Sequence, residues 1–334
     1  MIGHKCRLLE GPLQAQILTN CLGNTRLPQA YAERFHQTSI TDEEIGCLSD
    51  RLQTLSYDAK QFKLPLRVDP ERTWYRYPRE YGPGIGRQTL ELSAALNDFV
   101  RLHSSSGSGA LKPLVHELSC QYVRPPRRDV DDETKKIHAY VFQGFASSVT
   151  TASRPLPTMT STTGLDAPTG PLPSMYPAQP EMDLTKRFDY DPTTVPSLLS
   201  ASGEADQSAH LHTLFITHPW MNDDWKLPEK LGRAMLQSYT FAAAQAQARR
   251  GSAEATSAGD GVLPSDQRIC VQTVYHDLDT IGFLVFQLNT VAPGRGGEPE
   301  GSVRNEMWHE AGPLREGDGL NQNVLKWLKV FYET

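Results

Sequence analysis

No run of eighteen or more apolar residues occurs in this 334-residue chain, so no predicted helix is long and apolar enough to cross a bilayer. The best apolar stretch, Ile281 to Leu288, is only strand-sized. Basic charge is also scarce: the formal net charge is −6. A protein that wraps nucleic acid over most of its surface should be basic, because phosphate neutralisation supplies the affinity. The deficit is uneven, with a net of +2 over residues 1–136 and −8 over residues 137–334. Phosphate contact is therefore expected mainly from the first half, and protein partners or simple solubility suit the acidic half. The five cysteines, Cys6, Cys21, Cys47, Cys120 and Cys270, are scattered, and no CxxC pair occurs. That spacing excludes a sequence-local zinc knuckle and predicts buried reduced thiols in a disulfide-free compartment, cytosolic or mitochondrial.

Signatures of catalysis are missing as well. No GxSxG, HExxH, P-loop or EF-hand pattern occurs. Gly82-Pro83-Gly84-Ile85-Gly86-Arg87 resembles a phosphate loop in composition, but no buried strand precedes it and Pro83 removes a backbone donor. A turn before a helix is the better reading. His210 and His212 fall on one face of a predicted strand with His218 nearby, which could begin a metal site. No third ligand is placed beside them by spacing, so surface or interface histidines are expected. Asp223-Asp224 precede a predicted helix start, where acidic residues suit the dipole. His276 and Asp277 fall in a predicted hairpin turn, where Asp needs no catalytic role. No cofactor and no catalytic residue is expected.

What is present is patterned secondary structure. Residues 12–22 place Leu13, Ile17, Leu18, Cys21 and Leu22 at helical spacing, with Gly23 as the stop. Pro28 opens a second helix. Thr41 with Glu44 three residues on reads as a capping box, ahead of Ile45, Leu48, Leu52 and Leu55 on one helix face. Prolines and glycines exclude a long helix from 64–87. A helix is predicted over 88–103, with Leu90, Leu92, Ala95, Leu96, Phe99, Val100 and Leu102 as its apolar face. Residues 111–123 form a short apolar segment, and 137–145 alternate as a strand. Seven prolines among Ser, Thr and Gly over 146–182 predict an extended stretch that buries no core unless a partner covers it. Beyond it come a strand at Leu211–Thr217, an Ala-rich helix from Pro228 to Gly251, a hairpin over 268–289 and a terminal helix carrying Val324, Trp327, Leu328 and Phe331. Helices with an antiparallel hairpin and no regular βαβ alternation predict an α+β fold, with a mainly antiparallel sheet and long irregular segments. Three regions are expected: a helix-rich, weakly basic 1–145, an extended 146–209 and an acidic α+β 210–334.

One constellation points to nucleic acid. Arg67, Arg72, Arg76, Arg79 and Arg87 are interleaved with Trp74, Tyr75, Tyr77 and Tyr81. Guanidinium groups grip phosphate with a two-pronged fork, and aromatic rings stack on unpaired bases. Arg124, Arg127 and Arg128, beside Pro125-Pro126, form a second basic loop. The bland alternative is a solvated surface with buried aromatics.

Several blocks also resemble a known family. They are His4-Lys5-Cys6-Arg7-Leu8-Leu9-Glu10-Gly11 with Gln14-Ala15, then His212-Thr213-Leu214-Phe215, then Ala242 to Arg249. Val271-Gln272-Thr273-Val274, Phe283 to Thr290 and Leu325-Lys326-Trp327-Leu328 follow in order. Together they resemble the family of mitochondrial large-subunit ribosomal proteins that holds subunit protein thirty-seven and its paralogue related to programmed cell death protein nine. The opening block sides with the first branch, and about 105–205 matches poorly. The resemblance implies a non-enzymatic constituent of the mitochondrial ribosome, in the matrix, without a bacterial counterpart. Its implied partners are large-subunit ribosomal RNA, neighbouring large-subunit proteins and the paralogue. MIGHKCRLLEG is neither a secretory signal nor a transit peptide, so a mitochondrial targeting segment is expected to be missing from this chain. Two other classes stay open: an enzyme with a metal near His210, His212 and His218, and a soluble adaptor acting through the acidic half.

Overall fold

In the computed structural model the described residues are 7–23, 27–61, 66, 68–78, 85–104, 114–124, 140–159, 171–173, 210–217, 225–254, 261–292 and 303–334. Their centre is a sheet in the order β1-β7-β6-β5-β4-β3-β2. The strands are β1 (Cys21–Leu22), β2 (Leu114–Arg124), β3 (Tyr140–Ala152), β4 (His210–Thr217), β5 (Ile269–His276), β6 (Thr280–Leu288) and β7 (Asn305–Pro313). Pairing is antiparallel except at β4–β5 and β1–β7. A separate two-stranded ribbon, β8 (Arg315–Glu316) and β9 (Gly319–Leu320), follows β7. The fold is α+β with a mainly antiparallel sheet.

Helices cover both faces, and for that reason the central strands are buried without alternation. On one face lie α1 (Pro12–Thr19) and the long α5 (Leu227–Glu254). There Leu214, Ile216, Val271, Leu284, Phe286 and Leu288 pack against Leu231, Met235, Tyr239 and Phe241 of α5. On the other lie α2 (Gln29–Gln37), α3 (Asp42–Gln61), α4 (Ile85–His103) and α6 (Gln322–Glu333). Phe215, Val274, Phe283 and Val285 meet Leu96, Phe99, Leu325, Leu328 and Phe331 in that second core.

Small residues let α5 sit close. Gly232 faces Gly11, so a Cβ added to Gly232 would stand 2.7 Å from the Gly11 carbonyl. Gly11 itself has φ +54, a backbone state that favours glycine. Gln237 and Ser238 of α5 are buried yet bonded. Gln237 Oε1 accepts from the Phe145 amide at 2.8 Å, and the Ser238 and Thr273 hydroxyls meet at 2.7 Å.

Most predicted elements stand. The Thr41–Glu44 capping box forms both bonds: Glu44 N–H donates to Thr41 Oγ1 at 3.3 Å, and Thr41 N–H donates to Glu44 Oε2 at 2.9 Å. Several expectations are corrected. The first helix stops at left-handed Asn20, not Gly23, because β7 captures Cys21–Leu22 as a parallel strand. Leu90 and Leu102 are exposed, because the face α4 presents to the sheet is narrower than the predicted stripe. Of the described cysteines, Cys47 is exposed while Cys21, Cys120 and Cys270 are buried.

The expected boundary at 146 falls inside β3, which runs on to Ala152 with Ala146 and Val149 fully buried. Leu156 and Leu172 are buried too, so parts of the Pro-rich tract do fill core. Ser147 to Thr151 supply β-branched and small side chains that fit between two sheet neighbours, and the prolines begin only after them. Strand β7 and the short ribbon were not expected.

Candidate functional site

The basic-aromatic segment forms a tight projecting turn. Val68 and Arg76 pair as an isolated antiparallel bridge. Inside it, the Tyr75 amide donates to the Arg72 carbonyl at 2.7 Å and the Asp69 amide to the Tyr75 carbonyl at 3.2 Å. The Asp69 carboxylate closes the turn from within. Its Oδ1 accepts from the Glu71 and Arg72 amides at 2.9 and 3.1 Å, and its Oδ2 from the Tyr77 hydroxyl at 3.4 Å. This is the local hydrogen bonding that makes Asp a turn residue.

At the apex Trp74 is 76% exposed and Tyr75 43% exposed. Arg72 and Arg76 are also exposed. Tyr75 meets Trp74 at 88° and Tyr77 at 85°, edge to face in both cases. A large aromatic ring held in water on an ordered backbone marks a contact surface better than a buried one would. The turn therefore brings together four of the predicted residues: Arg72, Trp74, Arg76 and Tyr77.

The others separate. Arg87 lies on the first turn of α4, exposed, and faces Glu91 at 3.6 Å as a helical ion pair. Arg124 ends β2, with its side chain outside the described set. Arg67, Arg79, Arg127 and Arg128 lie outside the described residues.

The histidines of β4 do not converge. His210 Nδ1 lies 2.6 Å from Arg249 Nη2, and burial together with that cation lowers its pKa. His212 is buried with Nδ1 2.8 Å from Thr213 Oγ1. His218 and Asp223-Asp224 lie outside the described residues. Among the described residues no group of three or more His, Cys, Asp or Glu is placed to hold a metal ion.

A polar cluster that the sequence pattern did not reveal sits at the carboxyl ends of the parallel pair β4–β5. His276 ends β5, fully buried; its Nε2 is 2.6 Å from Ser93 Oγ of α4 and its Nδ1 3.1 Å from the Asp277 carbonyl. Burial pushes this imidazole down to about 4, against the raising effect of Asp277, so it is neutral near pH 7. The Nδ1 proton then goes to the carbonyl, and Nε2 accepts from Ser93.

Asp277 is buried beside Lys230 in an ion pair and accepts from the Asp279 and Thr280 amides at 2.8 and 2.6 Å. Burial opposes its charge, but Lys230 and those two amides hold it below the usual carboxylate range. Arg233 donates to the Thr217 carbonyl at 3.3 Å, and its burial lowers it to about 10.

The Ser93–His276 pair has the geometry for serine deprotonation. Ser93 borders a cleft of about 300 Å³ with Asn97, His116 and Ser148. The Asn97 amide protons, however, go to the Ser93 carbonyl at 2.9 Å and to Ser148 Oγ at 3.2 Å. That amide is therefore committed to the fold and is not aimed at a developing oxyanion. A larger cleft of about 590 Å³, lined by Arg34, Lys329 and Glu333, lies away from this cluster, between α2 and α6. Its Lys329 is spent on the Ser39 carbonyl at 3.2 Å and Glu44 at 2.9 Å.

Compared with known proteins, the sequence matches no protein-family model and no curated protein.

Proposed function

We propose that the chain is a structural constituent of the mitochondrial large ribosomal subunit, supporting translation through contacts with ribosomal RNA and neighbouring subunit proteins. The observation that carries this reading is the projecting turn: Trp74 held in water between exposed Arg72 and Arg76 on a backbone tied down by Asp69. Arginine beside an exposed aromatic is the surface chemistry that unpaired RNA calls for. The blocks resembling the ribosomal family support it differently. Three of them fall in β4, β5 and α6, the Ala-rich one in α5, and Phe283 to Thr290 covers the end of β6 and the two buried residues after it, so they speak for a shared core.

The reading is tested by sedimentation. A tagged chain should travel with mitochondrial large subunits through a sucrose gradient and shift to the top after ribonuclease treatment. A chain found only in the free soluble fraction contradicts it.

A second reading, an enzyme, is favoured by the 2.6 Å contact between Ser93 and His276. Covalent capture of Ser93 by a fluorophosphonate probe, lost in Ser93→Ala, would support it. An unlabelled protein leaves the pair as a core hydrogen bond.

A further inference from the structure

We infer that the turn at 68–77 binds single-stranded RNA by stacking one unpaired base on the Trp74 ring, with Arg72 and Arg76 on the flanking phosphates. The inference deepens the proposed ribosomal role and rests on it for its physiological ligand.

Three observations carry it. First, Trp74 is more exposed than any other large apolar side chain described except Leu102, which equals it at 76%. Its neighbour Tyr75 stands perpendicular to it, at 88°, so Tyr75 does not stack flat on the indole. A base can therefore lie against that ring without displacing a parallel aromatic neighbour. Second, the turn is closed by Asp69, whose two oxygens accept from Glu71, Arg72 and Tyr77, with the Tyr75 ring edge-on to Trp74 and Tyr77. The backbone that carries the ring is thus tied before binding, which removes an ordering cost that a loose loop would carry into the complex. Third, the flanking charge fits a polyanion. Arg72 and Arg76 are exposed, and of the turn's two carboxylates Asp69 is turned inward onto its own backbone, which leaves Glu71 as the exposed one. Among the described residues Arg72 and Arg76 enter no ion pair.

The chemistry selects the strandedness. In a duplex each base face is already stacked, and the deep groove of A-form RNA is too narrow for side chains to read. A lone indole gains nothing there. In a loop or bulge the base is free to turn outward, and stacking on an aromatic ring tolerates any base identity because every base has a π face.

The test uses the full chain and synthetic RNA. A 12-nucleotide single strand and the same strand in a blunt duplex are titrated into the wild type, W74A, W74F and R72A/R76A at several salt concentrations. The single strand should bind more tightly than the duplex. Binding should quench fluorescence in the wild type beyond what W74F shows. Ring removal in W74A should weaken single-strand affinity roughly 5- to 150-fold, with W74F between. In R72A/R76A the slope of log affinity against log salt should become shallower by about 0.7 for each phosphate no longer neutralised. Circular dichroism melts of all four should coincide, because these side chains are exposed.

Equal single-strand affinity in W74A and wild type, or a duplex preference, overturns the stacking proposal. So does photocrosslinking from position 74 to protein alone within isolated large subunits. Cosedimentation with large subunits without single-strand binding removes the stacking proposal and leaves the ribosomal reading intact. Trp74-dependent single-strand binding without cosedimentation does the reverse.

Discussion

Gln272, in the middle of β5, donates its side-chain amide to the Tyr31 hydroxyl oxygen of α2 at 2.9 Å, a buried bond between residues 241 apart in sequence. The same amide oxygen accepts from Thr213 Oγ1 at 2.7 Å, so the bond continues a polar line across β4 and β5. Tyr31 also meets Phe331 of α6 edge-on at 5.8 Å. Helix α2 is thereby fixed to the sheet and to the last helix. Tyr31→Phe keeps the ring and strands a buried amide donor, which costs about 1–3 kcal/mol. Urea denaturation should show a lowered midpoint with the slope unchanged; an unaltered midpoint would mean that water already serves Gln272.

Two glycines should respond to alanine with opposite sign. At Gly232 a methyl meets the Gly11 backbone at 2.7 Å, and that backbone is held by the α1–α5 contact. The overpacking cost of about 1–3 kcal/mol exceeds the gain in helix propensity of about 1 kcal/mol. At Gly46 of α3 nothing lies within 4 Å, so only the propensity gain remains. Gly232→Ala should lower the thermal midpoint and Gly46→Ala raise it. A stabilised Gly232→Ala would show that α1 is free to move away from α5.

Stability should fall with acid between pH 6.5 and 4 through His276. Its folded pKa is about 4, against 6.5 unfolded, so in this window the unfolded chain binds a proton that the folded chain refuses. Stability is complete above pH 6.5, declines as the pH falls and loses about 3 kcal/mol by pH 4. Glu44 and Asp277 are also depressed, but from ordinary values of 4.5 and 3.8, and they act below most of this window. His210 is lowered too, though its half-open position beside Arg249 makes its share small. His276→Gln should flatten the pH dependence of the unfolding free energy. A wild-type profile already flat from pH 6.5 to 4.5 would contradict the neutral, Ser93-bonded imidazole.

Arg72 and Arg76 should matter to assembly and not to folding. Both are exposed, and changes at such positions alter stability by about 0.5 kcal/mol or less. Replacing them by Ala should leave the melting curve in place. Retention on large subunits should be lost at a lower salt concentration than for the wild type. Identical salt elution would take these residues off the contact surface.

Local signals carried much of the fold into the sequence. Thr41 and Glu44 lie three residues apart and cap each other, so a single helical turn contains the whole cue. The hairpin of β5 and β6 was readable because Ile269 to His276 and Ile281 to Leu288 are buried on both faces and therefore mostly apolar or β-branched. Strand β7 was not readable. Its Asn305, Glu306, His309 and Glu310 have no strand composition, and it forms because β6 supplies a ladder and Asn305 Nδ2 bonds the Thr19 and Thr290 carbonyls at 2.6 and 2.9 Å. The same divide holds at the site. The arginines and aromatics of 67–79 were legible as composition, whereas the Asp69 bonds that close the turn were not read from it. Ser93 and His276 are 183 residues apart and meet only when α4 lies on the sheet, so no spacing rule could join them.

The most direct measurement is the copy number of this chain in salt-washed mitochondrial large subunits, by mass spectrometry against labelled peptides. A structural constituent should be present at about one copy per particle, in constant ratio across the gradient peak. A trace amount that varies with preparation, or disappears on a mild salt wash, would contradict a structural role in the ribosome.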